Sequence, residues 1–90
     1  MTKFQIKFRN NAVEKDWFSL KEDIPDKLEQ CKIFLQETSQ DRLKSGGKLK
    51  KLKGRLKGIL QYDITDSTRV RYRVNSSEHI IYIEYIGYHP

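Results

Sequence analysis

The sequence predicts an α+β domain: an N-terminal strand, a two-helix hairpin, then three antiparallel strands, with both helices packed on one face of the sheet. Three observations carry this. Apolar residues alternate at period two near the N-terminus and again after Gly58, they recur at helical spacing from Val13 to Leu35, and clusters of Asn, Ser, Thr and Gly punctuate the boundaries.

Phe4, Ile6 and Phe8 alternate with Lys3, Gln5, Lys7 and Arg9, the pattern of a half-buried strand. Asn10-Asn11 ends it, with Asn11 placed to cap the next element. Val13, Trp17, Leu20 and Ile24 then share one helical face. Pro25 marks a break, after which Leu28, Cys31, Phe34 and Leu35 define a second amphipathic helix to about Thr38. Trp17, Phe18 and Cys31 are expected in the core of this hairpin. Residues 38–47 read as a loop and hinge around Gly46-Gly47.

The next segment, Lys48 to Gly58, has Lys or Arg at six of its first ten positions. Leu49, Leu52 and Leu56 fit an amphipathic helix seated on the core; the same pattern also fits a helix lying on a membrane surface. Beyond Gly58, Leu60, Tyr62 and Ile64 alternate with Gln61 and Asp63, and Thr65-Asp66-Ser67 forms a turn. Val70, Tyr72 and Val74 alternate with Arg69, Arg71 and Arg73, so the three arginines point away from the helices. A second turn, Asn75 to Glu78, leads into a long strand from His79 to Tyr88. That strand is apolar at consecutive positions, as befits a place inside the sheet.

Ninety residues make a single domain, 1–90, with a small core. The apolar runs are too short to span a membrane, and Met1-Thr2-Lys3-Phe4 opens straight into the strand pattern rather than a signal peptide. A lone Cys31 forms no internal disulfide, which fits a cytoplasmic protein. One cysteine and two histidines nine residues apart (His79 and His89, counting those between) make no metal-ligand set, and Gly54 and Gly58 are too isolated for a phosphate-cradling loop. No metal and no cofactor are expected.

Charge is segregated. Residues 1–41 carry seven basic and eight acidic side chains, whereas residues 42–90 carry eleven basic and four acidic, a balance of +7. Such segregation is the footprint of an anionic partner: nucleic acid, an acidic protein or a phospholipid surface. Arg69, Arg71 and Arg73 in a row, with Lys48, Lys50, Lys51, Lys53, Arg55 and Lys57 nearby, favour phosphate. A guanidinium fork binds two phosphate oxygens and stabilises charge that builds during cleavage.

From Leu52 onward the residue order resembles the RelE/ParE toxin superfamily, and within it the YoeB-like and RelE-like ribonucleases. The matching stretches are Leu52-Lys53-Gly54-Arg55-Leu56-Lys57-Gly58, Ile64-Thr65-Asp66, Arg69-Val70-Arg71-Tyr72-Arg73-Val74 and Gly87-Tyr88-His89. The resemblance implies the toxin of a type II toxin–antitoxin pair. Its partners would be a cognate antitoxin and ribosome-bound mRNA, which it would cut to inhibit translation. The ParE branch keeps the fold and poisons DNA gyrase instead, and a plain RNA- or DNA-binding module is a third reading.

By the same resemblance Arg69 takes the place of the phosphate-contacting arginine, Lys53 that of a basic RNA-binding position and His89 that of a catalytic histidine. Imidazole titrates near neutrality and suits protonation of a departing ribose oxygen. Tyr88 beside it offers base stacking or hydroxyl chemistry. YoeB-like relatives place their general base, a glutamate, where this chain has Lys50; RelE-like relatives have lysines where Gln61 and Asp63 stand. Asp63 is one replacement, and equally an ion-pair partner for the arginines. A neutral Lys50 is another.

Overall fold

The computed structural model describes residues 3–38 and 48–88. In order the chain forms β1 (Gln5–Phe8), α1 (Asn11–Asp23), α2 (Pro25–Thr38), β2 (Leu49–Lys51), a single 3-10 turn (Gly54–Leu56), β3 (Leu60–Asp63), β4 (Thr68–Asn75) and β5 (Ile80–Tyr88). The strands make one sheet in the order β1-β5-β4-β3-β2. Every neighbouring pair is antiparallel except β1 and β5, which run parallel.

The helical half follows the sequence pattern, with the cap one residue earlier than expected. Asn10, not Asn11, caps α1: its side-chain oxygen accepts from the Val13 amide at 3.0 Å. A single residue, Ile24, joins the helices. Its amide donates to the Leu20 carbonyl at 2.7 Å, and its own carbonyl accepts from Leu28 at 2.9 Å. Pro25 then opens α2, where a missing amide hydrogen costs nothing. No described helix is long and apolar enough to cross a membrane.

Val13, Trp17 and Leu20 from α1 and Leu28, Cys31, Phe34 and Leu35 from α2 lie on a floor of Tyr62, Val70, Tyr72, Ile81, Ile83 and Ile86. Trp17 meets Phe8 edge-on at 5.7 Å, and Phe34 stacks on Tyr62 at 4.7 Å. Each aliphatic side chain buried in such a layer contributes about 1.5–3 kcal/mol. Phe18 departs from expectation. Half of it is exposed, because it lies one residue beyond Trp17 and so off the buried face. Burial pushes the Cys31 thiol and the Tyr72 and Tyr62 phenols above their ordinary values.

Four strands, not three, follow the hairpin. The helix expected over the basic segment is replaced by β2 and the 3-10 turn. Leu49 faces the core opposite Tyr62, while Leu52 and Leu56 are only half-buried. Two glycines explain the change. Gly54 and Gly58 adopt φ of 67° and 90°, backbone that no α-helix accommodates. The loop and hinge expected over 38–47 lies outside the described residues, apart from Thr38.

Two side-chain-built turns close the rest of the sheet. The Thr65 hydroxyl accepts from the Ser67 and Thr68 amides, and the Asn75 side-chain oxygen accepts from the Glu78 amide at 3.1 Å. Between them, a bulge interrupts the β4–β5 ladder: Arg71 pairs with Tyr85, but the next residue, Tyr72, pairs with Ile83. Glu84 is the extra residue.

Candidate functional site

Alternation along β4 sends Val70 and Tyr72 into the core and Arg69, Arg71 and Arg73 onto the face opposite the helices. Register then decides their neighbours. On β3, Gln61 lies beside Arg71 and Asp63 beside Arg69; on β2, Lys50 lies beside Gln61. On β5, Gly87 lies beside Arg69 and Tyr85 beside Arg71.

Gln61 is the hub of this face, and it is only 5% exposed. Its amide oxygen accepts from Arg71 Nε at 3.1 Å and from Arg69 Nη1 at 3.5 Å, while its amide nitrogen donates to Asp63 Oδ1 at 3.1 Å. The other oxygen of Asp63 holds Lys50 Nζ at 3.2 Å. Asp63 is therefore the ion-pair partner of Lys50 and not of the arginines. Lys50, Gln61, Asp63 and Arg69, with Thr65, Asp66 and Thr68 of the turn, line a polar cleft of about 410 Å³.

The consequence is a pair of uncompensated cations. Among the described residues neither Arg69 nor Arg71 has a carboxylate partner; both lean on a neutral amide oxygen. Arg71 also sits 5.9 Å over the Tyr85 ring. Gly87 contributes no side chain beside Arg69. A Cβ there would stand 3.2 Å from the Tyr85 hydroxyl, which instead donates to the Tyr88 carbonyl at 2.9 Å.

Arg73 differs from its two neighbours on β4. Glu84 lies on the same face, two residues beyond Tyr82, the partner of Arg73; it accepts from Arg73 Nε at 3.0 Å while standing 3.8 Å from Arg9 Nε.

The basic segment does not form one surface. Lys50 joins the open face, whereas Lys51 follows Leu49 to the helix side of the edge strand. Lys53, Arg55 and Lys57 are exposed around the 3-10 turn, with no carboxylate partner among the described residues, and Lys48 is half-buried just before β2.

Tyr88 pairs with the inward-facing Thr68, which puts it on the helix side, away from the arginines. Its hydroxyl donates to Asp23 Oδ2 on α1 at 3.1 Å, and that hydrogen bond pushes its phenol above the ordinary value. His89 lies outside the described residues.

Gln61, Tyr85 and Glu84 were not among the residues singled out from sequence. A signal for the last two does exist: buried Ile81 and Ile83 are two apart, but the next buried residue, Ile86, is three further on. That slip of one residue marks a bulge.

No protein-family model and no curated protein matches the sequence. Solved structures do match. The YoeB–YefM complex from Staphylococcus aureus gives a TM-score of 0.70 at 19% identity, covering 97% of this chain and 98% of that one. A YoeB/ParE toxin from Agrobacterium tumefaciens gives 0.69 at 18% identity, covering 97% and 100%. The RelBE2 toxin–antitoxin complex from Mycobacterium tuberculosis gives 0.62 at 16% identity, covering 99% and 94%. The α+β arrangement of two helices on a five-stranded sheet is the fold of the YoeB and RelE toxins.

Proposed function

We propose that this chain is the toxin of a toxin–antitoxin pair, an endoribonuclease that cuts mRNA on the ribosome and so inhibits translation. The observation that carries the reading is the Arg69–Arg71 pair: two guanidiniums side by side on an open sheet face, oriented by Gln61 and, among the described residues, in no ion pair. Such a pair fits one phosphodiester group and the extra negative charge its phosphorus gains in the transition state.

The reaction is attack of the RNA's own 2′-hydroxyl on the adjacent phosphorus, with loss of the next ribose oxygen. It requires a charge stabiliser, a base and an acid. Arg69 and Arg71 stabilise, and His89 protonates the leaving oxygen. Asp63 and Lys50, at the edge of the same cleft, take part in removing the 2′ proton. Lys53, Arg55 and Lys57 add affinity without reading sequence. An acidic antitoxin segment competes for the same positive face, in keeping with the toxin–antitoxin complexes among the matched structures.

The Lys50–Asp63 pairing favours a second reading, because the ammonium occupies a carboxylate oxygen that a 2′-hydroxyl would have to reach. On that reading the arginines grip a target without cutting it, as in a ParE-like inhibitor of gyrase. Expression in cells with mapping of mRNA 5′ ends separates the two. In-frame cuts within translated messages support the nuclease, DNA breaks support the gyrase inhibitor, and normal growth with neither overturns both.

A further inference from the structure

Apart from Asp66 in the β3–β4 turn, the strands of the open face carry two carboxylates among the described residues, one on each side of Arg69 and Arg71. Asp63 on β3 is occupied by Lys50, and Glu84 on β5 is occupied by Arg73 and Arg9. Glu84 continues the outward alternation of Tyr82, and the bulge beside it adds Tyr85 as a second successive outward side chain, so that Tyr85 and not Glu84 stands opposite Arg71. Glu84 is 22% exposed, against 49% and 66% for the two arginines it serves, so the acid lies beneath them.

An anion approaching Arg73 or Arg9 therefore meets a cation already compensated, with a carboxylate directly behind it. An anion approaching Arg69 or Arg71 meets charge whose direct acceptor is the neutral Gln61 amide, with Asp63 behind it already held by Lys50. The row of three arginines is electrostatically a row of two.

We propose that Glu84 is a specificity-determining residue that restricts the anion-binding footprint of the sheet face to Arg69 and Arg71. This confines the face to a single phosphodiester linkage and denies it a polyanion running along β4 toward β1. The inference rests on the reading of this face as an RNA-backbone site, and it names what limits that site.

The test compares Glu84→Gln with the parent and with Glu22→Gln. Glu22 is exposed on α1, across the sheet, so that variant carries the same change in net charge elsewhere. Binding of a short labelled oligouridylate and of inorganic polyphosphate is measured over a series of KCl concentrations. Polyphosphate has neither base nor ribose and reports the electrostatic footprint alone. Releasing one or two cations steepens the slope of log affinity against log salt by about 0.7 for each further phosphate engaged, and tightens binding by about tenfold at moderate salt.

Glu84→Gln is expected to show both changes with both probes, and Glu22→Gln neither. Adding Arg73→Gln to Glu84→Gln is expected to return part of the gain. Equal effects from Glu84→Gln and Glu22→Gln, or none from either, overturn the proposal. Unfolding midpoints are recorded alongside, and Glu84→Thr, neutral and strand-favouring, provides a second variant if Glu84→Gln is unstable. If polyphosphate responds as expected while no form binds oligouridylate, the footprint inference stands and the RNA reading falls.

Discussion

Replacing Gln61 by Glu tests whether the neutrality of the amide beneath the arginines is what leaves them available. The change is nearly isosteric at a position only 5% exposed, and it puts a carboxylate within 3.1 Å of Arg71 Nε and 3.5 Å of Arg69 Nη1. A phosphate seated on those guanidiniums would lie about 6 Å from the new charge; at an effective dielectric of about 20–40 the repulsion is about 1.5–3 kcal/mol. Affinity for single-stranded RNA should therefore fall by about 10–100-fold.

Stability should change far less than binding in this variant. The new carboxylate gains two cations but loses the amide donor to Asp63 Oδ1, leaving two oxygens facing each other at 3.1 Å. Anisotropy titrations of labelled RNA at fixed salt, with thermal unfolding in parallel, measure both quantities. Gln61→Met, neutral and similar in size, is the control and should lose only the part of the affinity that comes from orienting the guanidiniums. If Gln61→Glu binds RNA within about twofold of the parent, the arginines are not the anion seat and the argument fails.

Three further outcomes follow. Arg69→Ala should lower activity by about 10²–10³-fold, since one group supplies both phosphate positioning and transition-state charge; Lys53→Ala should leave the rate of a bound complex intact and reduce the salt slope by about 0.7; and His89→Gln should slow cleavage while sparing ribosome association, all read by single-turnover cleavage and co-sedimentation. Equal losses from Arg69→Ala and Lys53→Ala would count against a distinct role for the arginine. Stability should fall at alkaline pH: Cys31, Tyr72 and Tyr62 have folded pKa values raised by burial, so between the ordinary value and the raised one the unfolded chain loses protons that the native state keeps. The loss starts near pH 9.0, the ordinary thiol value, and grows by about 1.4 kcal/mol per pH unit for each group engaged, as urea titrations across that range would show; a flat profile would contradict the burial. Ile83→Ala removes a fully buried side chain paired with Phe8 across the sheet and should cost about 2–5 kcal/mol in urea unfolding, a large share of a small domain's stability, so a midpoint close to the parent's would mean the core is misplaced.

The helices and the arginine strand were legible because each obeys one period throughout. Val13, Trp17 and Leu20 recur along a helix, and Val70 and Tyr72 alternate with Arg69, Arg71 and Arg73 along a strand. The basic segment was misread because Leu49, Leu52 and Leu56 satisfy helical spacing, while the two glycines that forbid a helix act through backbone conformation and leave no trace in hydrophobic periodicity. The parallel pairing of β1 with β5 joins residues 75 positions apart, such as Gln5 and Ile80, beyond any local pattern.

Within the site, the pattern announced which residues face outward but not which charges cancel. Arg73 and Arg69 are equivalent in the alternation. They differ because the neighbouring strand carries an acid within reach of one and, past its bulge, a glycine opposite the other. Gln61 was seen only as a departure from a lysine found in relatives, and its role depends on cross-strand geometry.

The placement of β1 against β5 also sets when the protein can exist during its own synthesis. β1, α1 and α2 leave the ribosome first, yet their floor is built largely from residues 62–86, and the partner strand of β1 is the last to emerge. Until then the N-terminal third has an apolar surface and nothing to lay it on, a situation that delays folding and invites assistance from chaperones. The two free arginines are flanked by β3 on one side and β5 on the other, so their seat is not assembled until the same moment. A chain released early, or stalled before β5, carries every basic residue described here and still lacks the surface that arranges them. The arginine seat is therefore absent from the nascent chain until β5 has been made.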